Sequence, residues 1–395
     1  MKPCSVIFDR PYNTFFAGQT VQGRIEFVLK KSKKIRGILL VVKGESNVSW
    51  KSNEPTTSTS VEGEHSKKLA VTFSGKQEYF RLEQYCFGNE ENEDLILGSG
   101  KHVYPFKFIL PTNIPSSYEG QYGYVRYTIK VILKKHYYGD ETKMAFTVIS
   151  PFDLNLQPNI KEINQISNEK DLKMAWWSIG PIYYSLKTDK SGFVPGEDIP
   201  VNVIVDNNTN TDVTGIILKL QQIVTYTSQT PTLNTKIEEF TLEKVKIGSL
   251  AGQKSDSWTP LVKIPPCPPS GLNACPLIGI EYNLVLAIVI NYKMFKTLKL
   301  VLPIKIGTEP LNVQPPVSNP QERPESPPDY ETVVYGASKP DKSDDTEYYG
   351  DSNLALSKYS STKSIQDSED TEATKYCNET KAFSPYYLVY NFNNI

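Results

Sequence analysis

Two stretches of the chain repeat each other, and this limits the fold more than any other feature. TFFAGQTVQGRIEF (14–27) is matched by SGFVPGEDIPVNVIV (191–205), with Gly18 falling on Gly196, 196 − 18 = 178 positions later. At that displacement Phe15, Val21, Ile25 and Phe27 fall on Phe193, Ile199, Val203 and Val205. The next apolar run keeps it: Gly37, Ile38 and Leu40 fall on Gly215, Ile216 and Leu218. Further on the displacement shortens, so that Leu110-Pro111 meets Ile264-Pro265 and Tyr127 meets Tyr282. The first copy therefore holds extra residues between Trp50 and Lys101. That region contains KSNEPTTSTSVEGEH (51–65), whose polar composition reads as a long surface loop. Two units of this size indicate a duplicated domain rather than a solenoid.

The repeated unit is built from strands. TVQGRIEFVL, RGILLVVKG, YVRYTIKVIL, IPVNVIV, GIILKLQQIVTYT and YNLVLAIVI are short and rich in β-branched and aromatic residues, with Gly, Pro, Asn and Lys between them. No segment keeps a 3.6-residue period over three turns. The chain is expected to be all-β: two tandem immunoglobulin-like β-sandwich domains, residues 1–152 and 176–308. The segment between them, SPFDLNLQPNIKEINQISNEKDLKM, begins like a strand and turns polar, so 153–175 is read as the linker. From 309 to 395 the chain becomes Pro-rich, then acidic and Ser/Thr-rich, too polar to bury a core against its own entropy; disorder is expected there.

Composition removes several functions. Lys and Arg number 43 against 44 Asp and Glu, so no overall field argues for nucleic acid. The five cysteines are scattered and odd in number, which suits a reducing compartment better than a disulfide framework. The start, MKPCSVIFDRPYN, lacks a signal-peptide core, and Lys2 stands where myristoylation needs glycine. The longest apolar run, LVLAIVI (284–290), is far short of the roughly 20 residues that span a bilayer. A cytoplasmic chain is expected. Catalysis has little support: His65, His102 and His136 stand alone, and Cys267 and Cys275 share a loop without a second pair to complete a metal site. No cofactor is expected.

The tail carries the sharpest motif, Pro327-Pro328-Asp329-Tyr330. Adjacent prolines hold an extended polyproline II helix, ordered before binding, and Tyr330 adds a flat side chain with a polar tip; WW domains bind ligands of this form. Pro327, Pro328 and Tyr330 would make the contacts and Asp329 would face solvent. With the second sandwich ending near Gly307, the motif lies 327 − 307 = 20 residues along a tether, whose random-coil span is about 25 Å.

GKHVYPFKFILPTNIPSSYEGQYGYVRYTIKV (100–131) resembles the N-terminal domain signature of the arrestin superfamily, in its arrestin-domain-containing or α-arrestin branch. WWSIGPIYYSLKTDKSGFVPGEDIPVNVIV (176–205) resembles the start of that family's C-terminal domain, PPDYETVVYG its tail motif, and FSPYYLVYNF (383–392) the ending of insect-type members. The resemblance implies two hinged sandwiches acting as an adaptor. The body would engage a membrane receptor or transporter as cargo, and the tail would recruit a HECT-type ubiquitin ligase through its WW domains. It also implies residence in the cytoplasm with recruitment to plasma membrane and endosomes. Two family features are missing. Lys173-Met174-Ala175 precedes Trp176-Trp177 where many members carry a Cys pair, and only one full Pro-Pro-x-Tyr is present. A cargo-binding subunit of an endosomal coat, like the retromer-type relatives of the fold, is the alternative; such a subunit needs no WW ligand.

Further candidate contacts come from the residues themselves. Lys30, Lys31, Lys33, Lys34 and Arg36 crowd a hairpin turn, whereas the equivalent turn of the second copy reads Asn208-Thr209-Asn210-Thr211-Asp212. Five cations there could contact acidic lipid headgroups or a phosphorylated cargo tail, or simply be a solvated turn. Near the end, Ser384-Pro385-Tyr386-Tyr387 keeps part of a second WW ligand, and Tyr386 to Val389 has the form of a sorting signal. Alternation of Tyr386, Leu388, Tyr390 and Phe392 also fits a strand that pairs back onto the body. Ser326, Ser364 and Ser368 are candidate phosphorylation sites. Trp176-Trp177 is read as interdomain packing and Trp258 as core.

Overall fold

A computed structural model describes residues 4–52, 71–89, 95–135, 139–174, 177–290, 297–312, 346–348, 354–358, 374–376 and 383–392. The first repeat forms β1 (Ser5–Phe8), β2 (Thr14–Phe16), β3 (Thr20–Leu29), β4 (Lys33–Ile35), β5 (Gly37–Ser52), β6 (Val71–Gly88), β7 (Leu95–Leu97), β8 (Gly100–Ile109), β9 (Tyr118–Glu119), β10 (Gly123–Lys134) and β11 (Asp140–Ile149). The second forms β12 (Asn164–Met174), β13 (Trp177–Thr188), β14 (Gly192–Phe193), β15 (Asp198–Pro200), β16 (Asn202–Asn207), β17 (Val213–Thr227), β18 (Thr235–Leu250), β19 (Lys254–Trp258), β20 (Leu261–Lys263), β21 (Ile278–Ile290) and β22 (Leu298–Ile306). The tail adds β23 (Thr346–Tyr348), β24 (Leu354–Lys358), β25 (Thr374–Tyr376) and β26 (Tyr386–Tyr390).

Each repeat is a sandwich. In the first, the sheet β1-β3-β8 faces the sheet β2-β11-β10-β5-β6; in the second, β12-β13-β16-β19 faces β14-β22-β21-β17-β18. Period-two patterning drives this. In β3, Val21, Ile25, Phe27 and Leu29 are buried, and in β22 Leu298, Leu300, Leu302, Ile304 and Ile306 are buried with Lys299, Val301, Pro303 and Lys305 outside. Phe8, Phe15, Phe106 and Phe146 meet edge to face in the first core.

The repeat extends to individual hydrogen bonds. Tyr127 donates to the Pro115 carbonyl at 2.6 Å, and Tyr282 donates to the Pro268 carbonyl at 2.6 Å. The Ser117 hydroxyl accepts from the Val148 amide at 2.9 Å, and Ser270 from Ile306 at 2.9 Å. Gly18 and Gly196 both sit at positive φ, +83° and +93°; the first donates to the Pro111 carbonyl and the second to the Ile264 carbonyl. Tyr127→Phe and Tyr282→Phe should each cost about 1–3 kcal/mol, because a buried carbonyl loses its donor. Urea unfolding of the full chain should show the larger loss for Tyr282→Phe, because that hydroxyl also accepts from the buried Gln222 amide at 2.9 Å.

The extra residues of the first copy lie on either side of β6: at 53–70, which falls outside the described residues, and between β6 and β8, where β7 pairs with β4. The segment read as linker needs correction. Leu154 and Ile160 are buried with Val194, and β12 pairs along its length with β13 as an outer strand of the second sandwich. Its sequence NQISNEKDLKM looked like a linker because a strand with one solvated face needs few apolar residues; among its described side chains Leu172 is the fully buried one.

Candidate functional site

Residues 327–330 lie outside the described residues, as do Ser326, Ser364, Ser368, His65, His136 and Trp176. What the structure gives for the motif is its two points of attachment. Asn312 on one side is held by its amide to Asn155 Oδ1 at 3.0 Å. On the other, β23 pairs with β24, which pairs with β26, and β26 docks on the body. Along the sequence the motif falls 327 − 312 = 15 residues after Asn312 and 346 − 330 = 16 before Thr346.

The lysine turn is less uniform than its sequence. Lys30, Lys31 and Lys34 are exposed, but Lys33 pairs with Asp140 at 3.0 Å, as does Lys135 at 2.8 Å. Hydrogen bonds from Lys135 and then Lys33 hold the Asp140 carboxyl below its ordinary range. Arg36 is half-buried, with its amide on the Lys134 carbonyl. The register of β4 on β7 sets Ile35 opposite Leu95; residues 90–94, which precede β7, lie outside the described residues.

Pro385, Tyr386 and Tyr387 are placed against the body. Pro385 is buried, and Tyr387 is 2% exposed with its hydroxyl on the Ser117 carbonyl at 2.7 Å. Tyr386 is half-buried against the Tyr12 ring, and its amide donates to Thr147 Oγ1 at 3.2 Å. Docked this way, the segment presents neither a second WW ligand nor a sorting signal. The strand reading describes it: Tyr386, Leu388 and Tyr390 share a face against Phe16, Ile149 and Leu356.

Between the sandwiches runs a seam. The Tyr118 and Tyr226 hydroxyls lie 3.2 Å apart, and Tyr226 donates to Glu238 at 2.8 Å. Gly120 and Gly123 leave room for the Tyr226 ring. Ser74 and Thr230 exchange backbone and hydroxyl bonds, and the Phe152 amide donates to the Thr308 hydroxyl at 2.7 Å. Beside the seam lies a buried charged network that the sequence did not reveal. Glu119 takes both Arg126 Nε and Nη2, at 2.7 and 2.8 Å. Arg126 lies 3.9 Å over the Tyr124 ring, Tyr124 donates to Glu45, and Glu45 also pairs with Lys43 at 2.7 Å and Lys76 at 3.3 Å.

Nothing in these groups resembles a reaction centre. His102 stacks on Phe27, lies beside Tyr104 and is bonded to the Gly98 carbonyl. Burial pushes the Cys267 thiol up to about 12, well away from a reactive thiolate. Among the described residues no His, Cys, Asp and Glu group could hold a metal ion. Trp258 packs on the core but stays partly buried.

Comparison with known proteins decides the family. The family model described as "Arrestin (or S-antigen), N-terminal domain" matches residues 4–155, and "Arrestin (or S-antigen), C-terminal domain" matches 178–311. The chain belongs to the arrestin family. Arrestin domain-containing protein 17 of Caenorhabditis elegans is 28% identical over 319 residues, covering 77% of this chain and 70% of that protein. Arrestin domain-containing protein 4 of Homo sapiens is 26% identical over 318 residues, 79% and 72% of the two chains. Arrestin domain-containing protein 1 of Homo sapiens is 24% identical over 300 residues, 75% and 62%. These relatives support its place in the α-arrestin branch, an adaptor-type family.

Proposed function

We propose that this arrestin-family chain links a WW-bearing HECT-type ubiquitin ligase to a membrane receptor or transporter, promoting its ubiquitination and endocytic sorting. It does no chemistry itself. The observation that carries this is Pro327-Pro328-Asp329-Tyr330 in a segment that leaves the second sandwich at Asn312, with arrestin domains upstream of it. Residence in the cytoplasm, with recruitment to plasma membrane and endosomes through cargo, belongs to the same reading. Co-precipitation from cell extract, with and without residues 327–330, tests it. Loss of the ligase with the deletion is expected. A chain that retains coat proteins and never captures a ligase would favour the endosomal coat subunit instead.

A further inference from the structure

Where the chain leaves the second sandwich lies a cavity of about 370 Å³, a size that holds a small ligand. Four short segments build it. Gly192 lets the turn at 189–193 lie against the segment between the sandwiches; a Cβ there would meet Ile160 Cγ1 at 2.4 Å. The Ile160 carbonyl takes the Ser191 amide at 2.9 Å, which sets Lys161 beside the turn that carries Asp189 and Lys190. The chain's exit is fixed to the same segment. Asn155 Nδ2 donates to the Pro310 carbonyl at 3.0 Å, and Asn155 Oδ1 accepts from the Asn312 amide at 3.0 Å. Leu154, Ile160 and Val194 form a small core on which Leu311 packs. Hydrogen bonds and packing within the chain therefore hold the walls in place.

The groups around the cavity fall into two sets. Lys190 and Glu197 are spent on each other; Glu197 also takes the Val194 amide at 3.2 Å, and Lys190 lies 5.0 Å over the Phe193 ring. The Lys161 ammonium, the Asp189 carboxylate and the Asn312 carboxamide, all on exposed residues, have no hydrogen bond or ion pair among the described residues. Phe193, Pro200 and Leu311 supply the apolar lining. One cation, one anion and one amide beside apolar groups complement a short peptide with both ends free. A ligand of a single charge sign would meet a like charge at the rim. A lone amino acid would leave the carboxamide unused, whereas a dipeptide holds its end charges about two residue lengths apart, roughly 7 Å, with a peptide bond between them. A carboxamide both donates and accepts, as that bond requires.

We propose that this cavity binds a dipeptide with apolar side chains, its ammonium on Asp189, its peptide bond on Asn312 and its carboxylate on Lys161. The second sandwich would then carry a small-peptide site of its own. The site stands independently of the WW-ligand reading.

Calorimetric titration of the full chain with leucyl-leucine tests it, beside the same dipeptide acetylated at the amine, amidated at the carboxylate, or blocked at both ends. The native chain should bind leucyl-leucine at one site, with each blocked end weakening binding about 3-fold and both together about 10-fold, as exposed ion pairs allow. Asp189→Ala should bind the free and acetylated forms equally, yet still prefer the free carboxylate. Lys161→Ala should do the reverse. Asn312→Ala should weaken every form about 3-fold. The three positions are exposed, so urea midpoints should stay native, which separates a lost contact from a lost fold. No saturable binding up to on the order of 10 mM would overturn the proposal. So would end preferences that survive Asp189→Ala and Lys161→Ala. Equal binding of the free and doubly blocked forms would overturn it too, marking an apolar slot for a partner's chain instead.

Discussion

Glu119→Ala is expected to lower the unfolding free energy by about 3–5 kcal/mol, the loss typical when one member of a buried ion pair is removed. Glu119 is fully buried and holds the Arg126 guanidinium through both oxygens. Arg126 is buried too, fixed over Tyr124 and unable to shed its charge. Deleting the carboxylate therefore leaves a desolvated cation, which costs far more than one lost hydrogen bond. The effect should spread, because Tyr124 is also tied to Glu45 and Glu45 to Lys43 and Lys76. A Glu119→Leu, Arg126→Met double variant should recover most of the loss, since apolar groups of similar volume carry no desolvation cost. Arg81→Ala, which breaks the exposed pair with Glu83, should change stability by less than about 1 kcal/mol. Denaturant midpoints of the four proteins check this. A Glu119→Ala chain as stable as the native one would mean that the network is not a structural element.

The sequence disclosed the architecture where the physics is local or repeated. Alternation in β3 and β22 follows from residues two apart. The pairing of Gly18 with Gly196 and of Tyr127 with Tyr282 follows from a duplication that kept the turns and buried hydroxyls. What stayed hidden depends on contacts between distant positions. Lys33 looked like one of five free cations until Asp140, on another strand, was seen beside it. Glu45 and Tyr124 are 79 residues apart and Tyr387 and Ser117 are 270 apart, so no window along the chain joins them. β12 failed to read as a strand because, among its described side chains, Leu172 alone is fully buried. The charged network left no signal because its members are single residues in otherwise ordinary strands.

The terminal tyrosines show how placement changes a motif's meaning. Ser384-Pro385-Tyr386-Tyr387 was read as a partial second WW ligand, yet Tyr387 is spent on Ser117 and Pro385 is buried. Bivalent recruitment through both motifs is thus incompatible with the docked strand. On the function proposed above, recruitment would fall to Pro327, Pro328 and Tyr330. A single aromatic anchor filling a pocket dominates small interfaces of this kind, and removing one costs about 2 kcal/mol or more. Tyr330→Ala leaves both prolines, and with them the φ restriction that favours polyproline II, so the loss would come from the empty pocket.

The direct measurement is a calorimetric titration of an isolated WW domain from a HECT-type ligase against the full-length chain and its Tyr330→Ala and Tyr387→Ala variants. The native chain should bind one WW domain, Tyr330→Ala should weaken binding at least about 30-fold, and Tyr387→Ala should leave it at native strength or nearly so. Undiminished binding by Tyr330→Ala would contradict the account.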